Sequence, residues 1–196
     1  MVKQDQIVEA AIRRFSHFGI AKTTLMEIAE DLSVSKQALS YYFPDKQSLV
    51  NAVIQKLIMD YSDSLKTEIE QSPRVEEALL KLTEVKGIFF EKYFMLAIQA
   101  EHLEIEKNHS LKKIISDKES GILTILFEKG VKTGELKPLD SPKTAELLIE
   151  TLYAFSRCVK EKGFIPDADA FKEVLHMQQE VIKLFYQGLK SQSAVK

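Results

Sequence analysis

The chain has no tryptophan and a single cysteine, Cys158. One thiol excludes an intramolecular disulfide framework and suits the reducing cytoplasm, which is the expected compartment. Seven glycines and five prolines in 196 residues are too few for a turn-rich β protein. The first residues, MVKQDQ, lack the apolar core of a signal peptide, and no uncharged apolar run approaches the roughly eighteen residues of a membrane span, so no membrane partner is expected. Also missing are a glycine-rich phosphate loop, a G-x-S-x-G elbow, an H-E-x-x-H helix motif and any Cys/His metal spacing. The best metal pair, His102 and His109, would lie about 10 Å apart along a helix, too far for one ion. Catalytic residues, cofactor and metal are therefore expected to be absent, and an enzyme is not expected.

What is present is apolar residues at helical spacing. Hydrophobic residues make up 45% of the chain, enough for a sizeable core, while charged residues make up 29% yet sum to only -2. The densest local grammar runs from Thr23 to Leu49. Thr24 followed by Glu27 reads as a capping box, and Leu25, Ile28, Ala29 and Leu32 then share one helical face. Ser33 and Val34 form a turn. Ser35 caps a second short helix whose inward positions are Ala38, Leu39, Tyr42 and Phe43, and Pro44 ends it. Asp45 caps a third helix carrying Lys46 and Leu49. Ala29 and Ala38 are small, as a steep helix crossing requires. The outward face of the second helix carries Lys36, Gln37, Ser40 and Tyr41, which no core needs and which can donate, accept and stack at a DNA groove.

Phe18-Gly19, Thr23-Thr24, Ile28-Ala29, Val34-Ser35, Leu39, Tyr41-Tyr42-Phe43, Lys46 and Leu49 together resemble, in order and spacing, the N-terminal signature of TetR-type transcriptional regulators. The resemblance covers about the first fifty residues. Two positions depart from it. Serine at 33 replaces the usual turn glycine and is expected to shift the backbone, and Ser40 replaces an aromatic. The resemblance implies an all-α chain with an N-terminal three-helix helix-turn-helix DNA-binding domain, residues 1–48, and a C-terminal helical ligand-binding and dimerisation domain, residues 49–196. The DNA contacts expected are Thr24, Ser35, Lys36, Gln37, Ser40, Tyr41, Tyr42 and Lys46. Lys36 and Gln37 are the base-edge candidates, whereas Thr24, Tyr41, Tyr42 and Lys46 suit phosphates. Lys3, Arg13, Arg14 and Lys22 are further candidates near phosphates. Against this stands the charge of the first fifty residues, where those four and Lys36 and Lys46 are balanced by Asp5, Glu9, Glu27, Glu30, Asp31 and Asp45.

Elsewhere the pattern stays helical. A first helix from Asp5 to Phe18 is ended by Gly19. An unbroken helix from Lys46 to Gln71 carries Leu49, Val53, Leu57, Tyr61 and Leu65, doubled by Val50, Ile54 and Ile58. The apolar density peaks at Phe89, Phe90, Phe94 and Met95. A ligand cavity among helices is expected from Phe90, Phe94, Met95, Gln99, His102, Phe127, Tyr153 and Cys158, although the plainer reading of each apolar residue is core. Two last helices, about Ser141–Lys162 and Ala168–Leu189, have apolar stripes wide enough to cover their own domain and a second copy. The expected function is a homodimeric repressor, released from a palindromic double-stranded DNA operator by a small, largely apolar effector. A second reading, a small-molecule-binding helical protein with a degenerate head and no DNA role, draws on the balanced charge and on Ser33.

Overall fold

Gly19 shows how single residues set the element boundaries. Its φ of +82° carries the chain out of the first helix, while its N–H still donates to the Phe15 carbonyl at 2.9 Å. The computed structural model describes residues 3–100, 111–160 and 168–191, with backbone alone at 97–98, 100, 155–160 and 168–170. Its described elements are helices: α1 Gln4–Phe18, α2 Leu25–Asp31, α3 Lys36–Tyr42, α4 Lys46–Gln71, α5 Val75–Lys92, α6 Phe94–Ala100, α7 Leu111–Lys132, α8 Ser141–Lys160 and α9 Ala168–Leu189. Among the described residues the only β pairing is an isolated bridge between Leu136 and Lys190. No described helix is long and apolar enough to cross a membrane. The expected residues 161–162 of the helix before α9, like His102 and His109, lie outside the described residues.

The chain forms two compact units, Met1–Asp60 with Phe89–Leu111, and Tyr61–Ile88 with Lys112–Lys196. The boundaries between the units fall inside α4, α5 and α7, and α6 joins the first unit by packing on α1.

In the first unit α1 buries Ile7, Ala11 and Phe15, and α2 buries Ile28 and Ala29. From α3 come Leu39 and, just beyond it, Phe43; from α4 come Leu49, Val50, Val53 and Ile54. One face of each short helix is thereby consumed. Ala38 does not join them. It is exposed, because it sits in the first turn of α3, about 100° around the axis from the inward Leu39.

In the second unit α8 packs on α9. Leu148, Ile149 and Leu152 are buried on α8, and Val174, Gln178, Ile182 and Tyr186 on α9. The Gln178 amide donates to the Leu152 carbonyl at 2.7 Å. At one end of the unit, Glu135 accepts from the Val75 N–H at 2.9 Å and from the Tyr186 hydroxyl at 3.0 Å, tying the start of α5 to α9. Gly130 lets Leu136 and Val75 close on α7, since a Cβ there would come within 2.9 Å of both side chains.

Candidate nucleic-acid interface

The head is built by its caps. Thr24 Oγ1 accepts from the Glu27 N–H at 3.3 Å while the Glu27 carboxylate accepts from the Thr24 N–H at 2.7 Å, closing the capping box at α2. These backbone and hydroxyl bonds hold the Glu27 carboxyl below its usual pKa. Leu32 and Ser33 then carry the chain into α3. Ser33 adopts φ +53°, the left-handed conformation glycine normally supplies. The turn is closed by backbone bonds from Ser33 N–H to Glu30 and from Val34 N–H to Ala29, at 2.9 and 3.0 Å. Ser35 Oγ accepts from the Ala38 N–H at 3.1 Å and so starts α3.

This construction leaves Lys36, Gln37, Ala38 and Tyr41 exposed, with Tyr41 at 84%. Ser40 and Tyr42 are half-buried, and the Tyr42 ring meets Tyr41 edge to face at 5.2 Å between centroids. Lys36, Gln37, Ser40 and Tyr41 thus lie on one short helix. Ser35 is exposed beside them as its cap. Thr24 is exposed too, but its hydroxyl donates to Glu27 at 2.8 Å. A phosphate would have to compete for it. Lys46 points back to the Ala21 carbonyl, with Nζ at 3.4 Å, and braces the turn between α1 and α2.

Arg14 is likewise engaged. Its guanidinium grips Asp31 through Nε at 2.6 Å and Nη2 at 2.9 Å, approaches Glu27 at 3.3 Å and stacks over Phe18. The paired geometry holds the Asp31 carboxyl below its ordinary pKa and pins α1 to α2. Arg14 is therefore a bracket of the head and not a free phosphate ligand. Lys3, Arg13 and Lys22 remain exposed.

The residues expected to line a cavity are distributed differently. Phe90, Phe94, Met95 and Gln99 belong to the first unit, whereas Phe127 and Tyr153 belong to the second. Phe90 and Phe94 stack edge to face at 5.2 Å, and Met95 is partly exposed. Phe127 is fully buried core. Gln99 bonds to the backbone of the α1–α2 turn, its Oε1 accepting from the Ile20 N–H at 2.6 Å. His102 and the Cys158 side chain lie outside the described residues.

Tyr153 belongs to a polar cluster that the sequence pattern did not single out. Glu119, fully buried on α7, accepts from the Tyr61 hydroxyl at 2.5 Å and from Lys86 Nζ at 3.0 Å through the same oxygen, Oε1. Its Oε2 is buried with no hydrogen-bond partner. Lys86 and Lys112 both place Nζ within 4.8 Å of the centre of the Tyr153 ring. Burial first, and Glu119 second, push the Tyr61 and Tyr153 hydroxyls well above the ordinary phenol pKa. The available signal was Glu119 itself, an acid four residues from Ile115 and four from Leu123 on an apolar helical face. Among the described residues no group of three or more His, Cys, Asp or Glu is placed to hold a metal.

A short capped helix packed against a second helix whose polar face is exposed is the arrangement of a helix-turn-helix head. Residues 7–53 match the family model of bacterial regulatory proteins, tetR family. The HTH-type transcriptional regulator RutR of Escherichia coli O157:H7 is 30% identical over 145 residues, covering 70% of this chain and 66% of that protein. The chain therefore spans just under two thirds of that relative. The uncharacterized HTH-type transcriptional regulator YhgD of Bacillus subtilis (strain 168) is 27% identical over 76% of this chain and 79% of its own length. A solved transcriptional regulator from Cytophaga hutchinsonii ATCC 33406 superposes with a TM-score of 0.84 at 25% identity, over 95% of this chain and 98% of that one. Residues 7–53 thus carry the helix-turn-helix domain of the tetR family, and the chain as a whole is similar to HTH-type transcriptional regulators.

Proposed function

We propose that this protein is a cytoplasmic repressor that binds a near-palindromic operator as a homodimer and leaves it when a small, largely apolar ligand binds. The observation that carries the DNA reading is the face of α3, where Lys36, Gln37 and Tyr41 are exposed while Leu39 supplies the core. Residues 1–48 do the reading. Lys36 and Gln37 address base edges, and Ser35, Ser40, Tyr41 and Tyr42 address the backbone. Thr24 and Lys46 contribute to DNA only by giving up the bonds they make within the head.

Residues 49–196 sense the ligand and pair with a second copy. Leu147 on α8 and Leu184 on α9 support the pairing, being 59% and 74% exposed on helices whose other faces are buried. Two-fold symmetry then sets two α3 helices about 34 to 36 Å apart, one turn of DNA, or a multiple of it. Release requires that the ligand prefer the state that does not fit the operator. The helix α4, which has neither Gly nor Pro and contributes to both units, is the proposed route of that preference.

The test is selection of genomic fragments by the purified protein, followed by binding of the best fragment and of random DNA across a salt series. A palindrome bound far more tightly than random DNA, and tenfold or more weakened by K36A/Q37A with unchanged melting, is the expected result. Uniform weak binding that vanishes with modest salt would refute it.

A further inference from the structure

The turn from Gly19 to Lys22 decides where α2 begins, and it is held from three sides. Thr23 Oγ1 donates to the Gly19 carbonyl at 2.9 Å, and Lys46 Nζ reaches the Ala21 carbonyl at 3.4 Å. Both of those restraints act on carbonyls. The turn's amides are met by a residue from far along the chain, Gln99 on α6. Its Oε1 accepts from the Ile20 N–H at 2.6 Å and lies 3.4 Å from the Ala21 nitrogen. Only the oxygen of the amide can accept from an N–H, so the orientation of the group follows from its partners.

The fit around that amide is close. A Cβ at Gly19 would collide with the Gln99 amide, so the glycine both takes its left-handed φ and leaves the socket open. Leu96, one turn earlier on α6, is buried, and α6 packs on α1. Gln99 therefore does for this turn what a cap does for a helix end. It satisfies backbone donors that the local sequence leaves open.

We propose that Gln99 is a positioning residue for DNA reading: its side-chain oxygen sets the α1–α2 turn from which the DNA head's α2 starts. The proposal rests on the reading of the N-terminal helices as a DNA head. Thr24, the cap of α2, follows this turn directly, and α2 supports α3. Loss of the oxygen leaves the turn free to sample other arrangements, and operator affinity falls in proportion to the fraction that stays competent.

The experiment compares the full-length wild type with Q99M and Q99E, using the best selected operator duplex and backbone amide exchange. Methionine keeps the length and the apolar packing but offers no comparable acceptor, whereas glutamate keeps an acceptor for the Ile20 N–H. In Q99M the Ile20 and Ala21 amides are expected to exchange faster and operator affinity to fall about tenfold, on the order of one lost part-buried hydrogen bond. Q99E is expected to restore both to within about threefold of wild type. Packing alone would give the reverse order, with Q99M near wild type and Q99E impaired, and that result overturns the proposal. So does an Ile20 amide unprotected in the wild type, or normal operator affinity in a Q99M protein whose Ile20 amide has lost protection. If Q99M fails to fold, the Ile20 exchange of wild type and the affinity of Q99E decide the matter. A wild type that folds with a protected Ile20 amide yet has no operator preference would refute the DNA reading, while the Gln99 bond stands.

Discussion

Ser33 carries a Cβ in the left-handed region, and replacing it by glycine isolates what that conformation costs. A left-handed L-residue costs about 1–2 kcal/mol, and glycine returns about 0.5–1 kcal/mol of that through its greater freedom in the unfolded chain. The net expectation for Ser33→Gly is a gain of about 0.5–1 kcal/mol. Nothing else is lost, since Ser33 is exposed and its N–H bond to Glu30 belongs to the backbone. For a chain of this size 1 kcal/mol corresponds to roughly 2–4 °C in Tm. Thermal and urea melts of wild type, S33G and S33A read the effect. S33A keeps the Cβ and is expected within about 0.5 kcal/mol of wild type. A folded S33G that melts at or below wild type would refute the strain argument. An S33A that melts well below wild type would show instead that the hydroxyl holds the turn.

Other substitutions probe the remaining features. Tyr61→Phe removes one donor to the buried Glu119 and is expected to destabilise by about 1–3 kcal/mol in denaturant melts. Because burial raises the phenol pKa in the folded state, Tyr61 contributes stability that is complete below the ordinary value near 10 and is lost as pH rises above it. Y61F should accordingly lose less stability than wild type between about pH 9 and 11, and an identical alkaline profile would contradict this. With Arg14 tied to Asp31 and Lys46 to Ala21, the exposed cations of the head are Lys3, Arg13, Lys22 and Lys36. Log affinity for DNA should fall with log salt no more steeply than about -3.6 per head, and a markedly steeper slope in titrations would mean that the bracketed cations reach phosphate. Leu184→Glu should turn a dimer into a monomer by sedimentation while leaving the helical signal intact, and a persistent dimer would place the pairing elsewhere.

The parts legible in the sequence were those whose causes are local. Thr24 and Glu27 announce α2 three residues apart, Ser35 announces α3, and Gly19 ends α1, because a cap or a left-handed turn is written within one turn of chain. The long run of α4 was equally plain, since nothing between Lys46 and Gln71 interrupts the apolar repeat. Faces were less secure at helix starts, and Ala38 fell on the wrong side for that reason. Contacts between distant segments left no local mark. Arg14 looked like a free cation because Asp31 lies seventeen residues away. Gln99 looked like a cavity residue because its partner Ile20 lies seventy-nine residues away. At Ser33 the fold holds serine in a conformation that its own preference disfavours.

The shared oxygen of Glu119 binds the histories of three helices together. Tyr61 on α4, Lys86 on α5 and Glu119 on α7 form one small circuit of charge and hydrogen bonds, and removing Lys86 leaves the carboxylate of Glu119 buried without its counter-charge. Substitutions at these positions are then strongly coupled, so that the second change is tolerated only after the first. Lineages of this chain are expected to have exchanged the lysine and the carboxylate together, for a matched apolar pair of similar volume, and to retain few intermediates carrying one without the other.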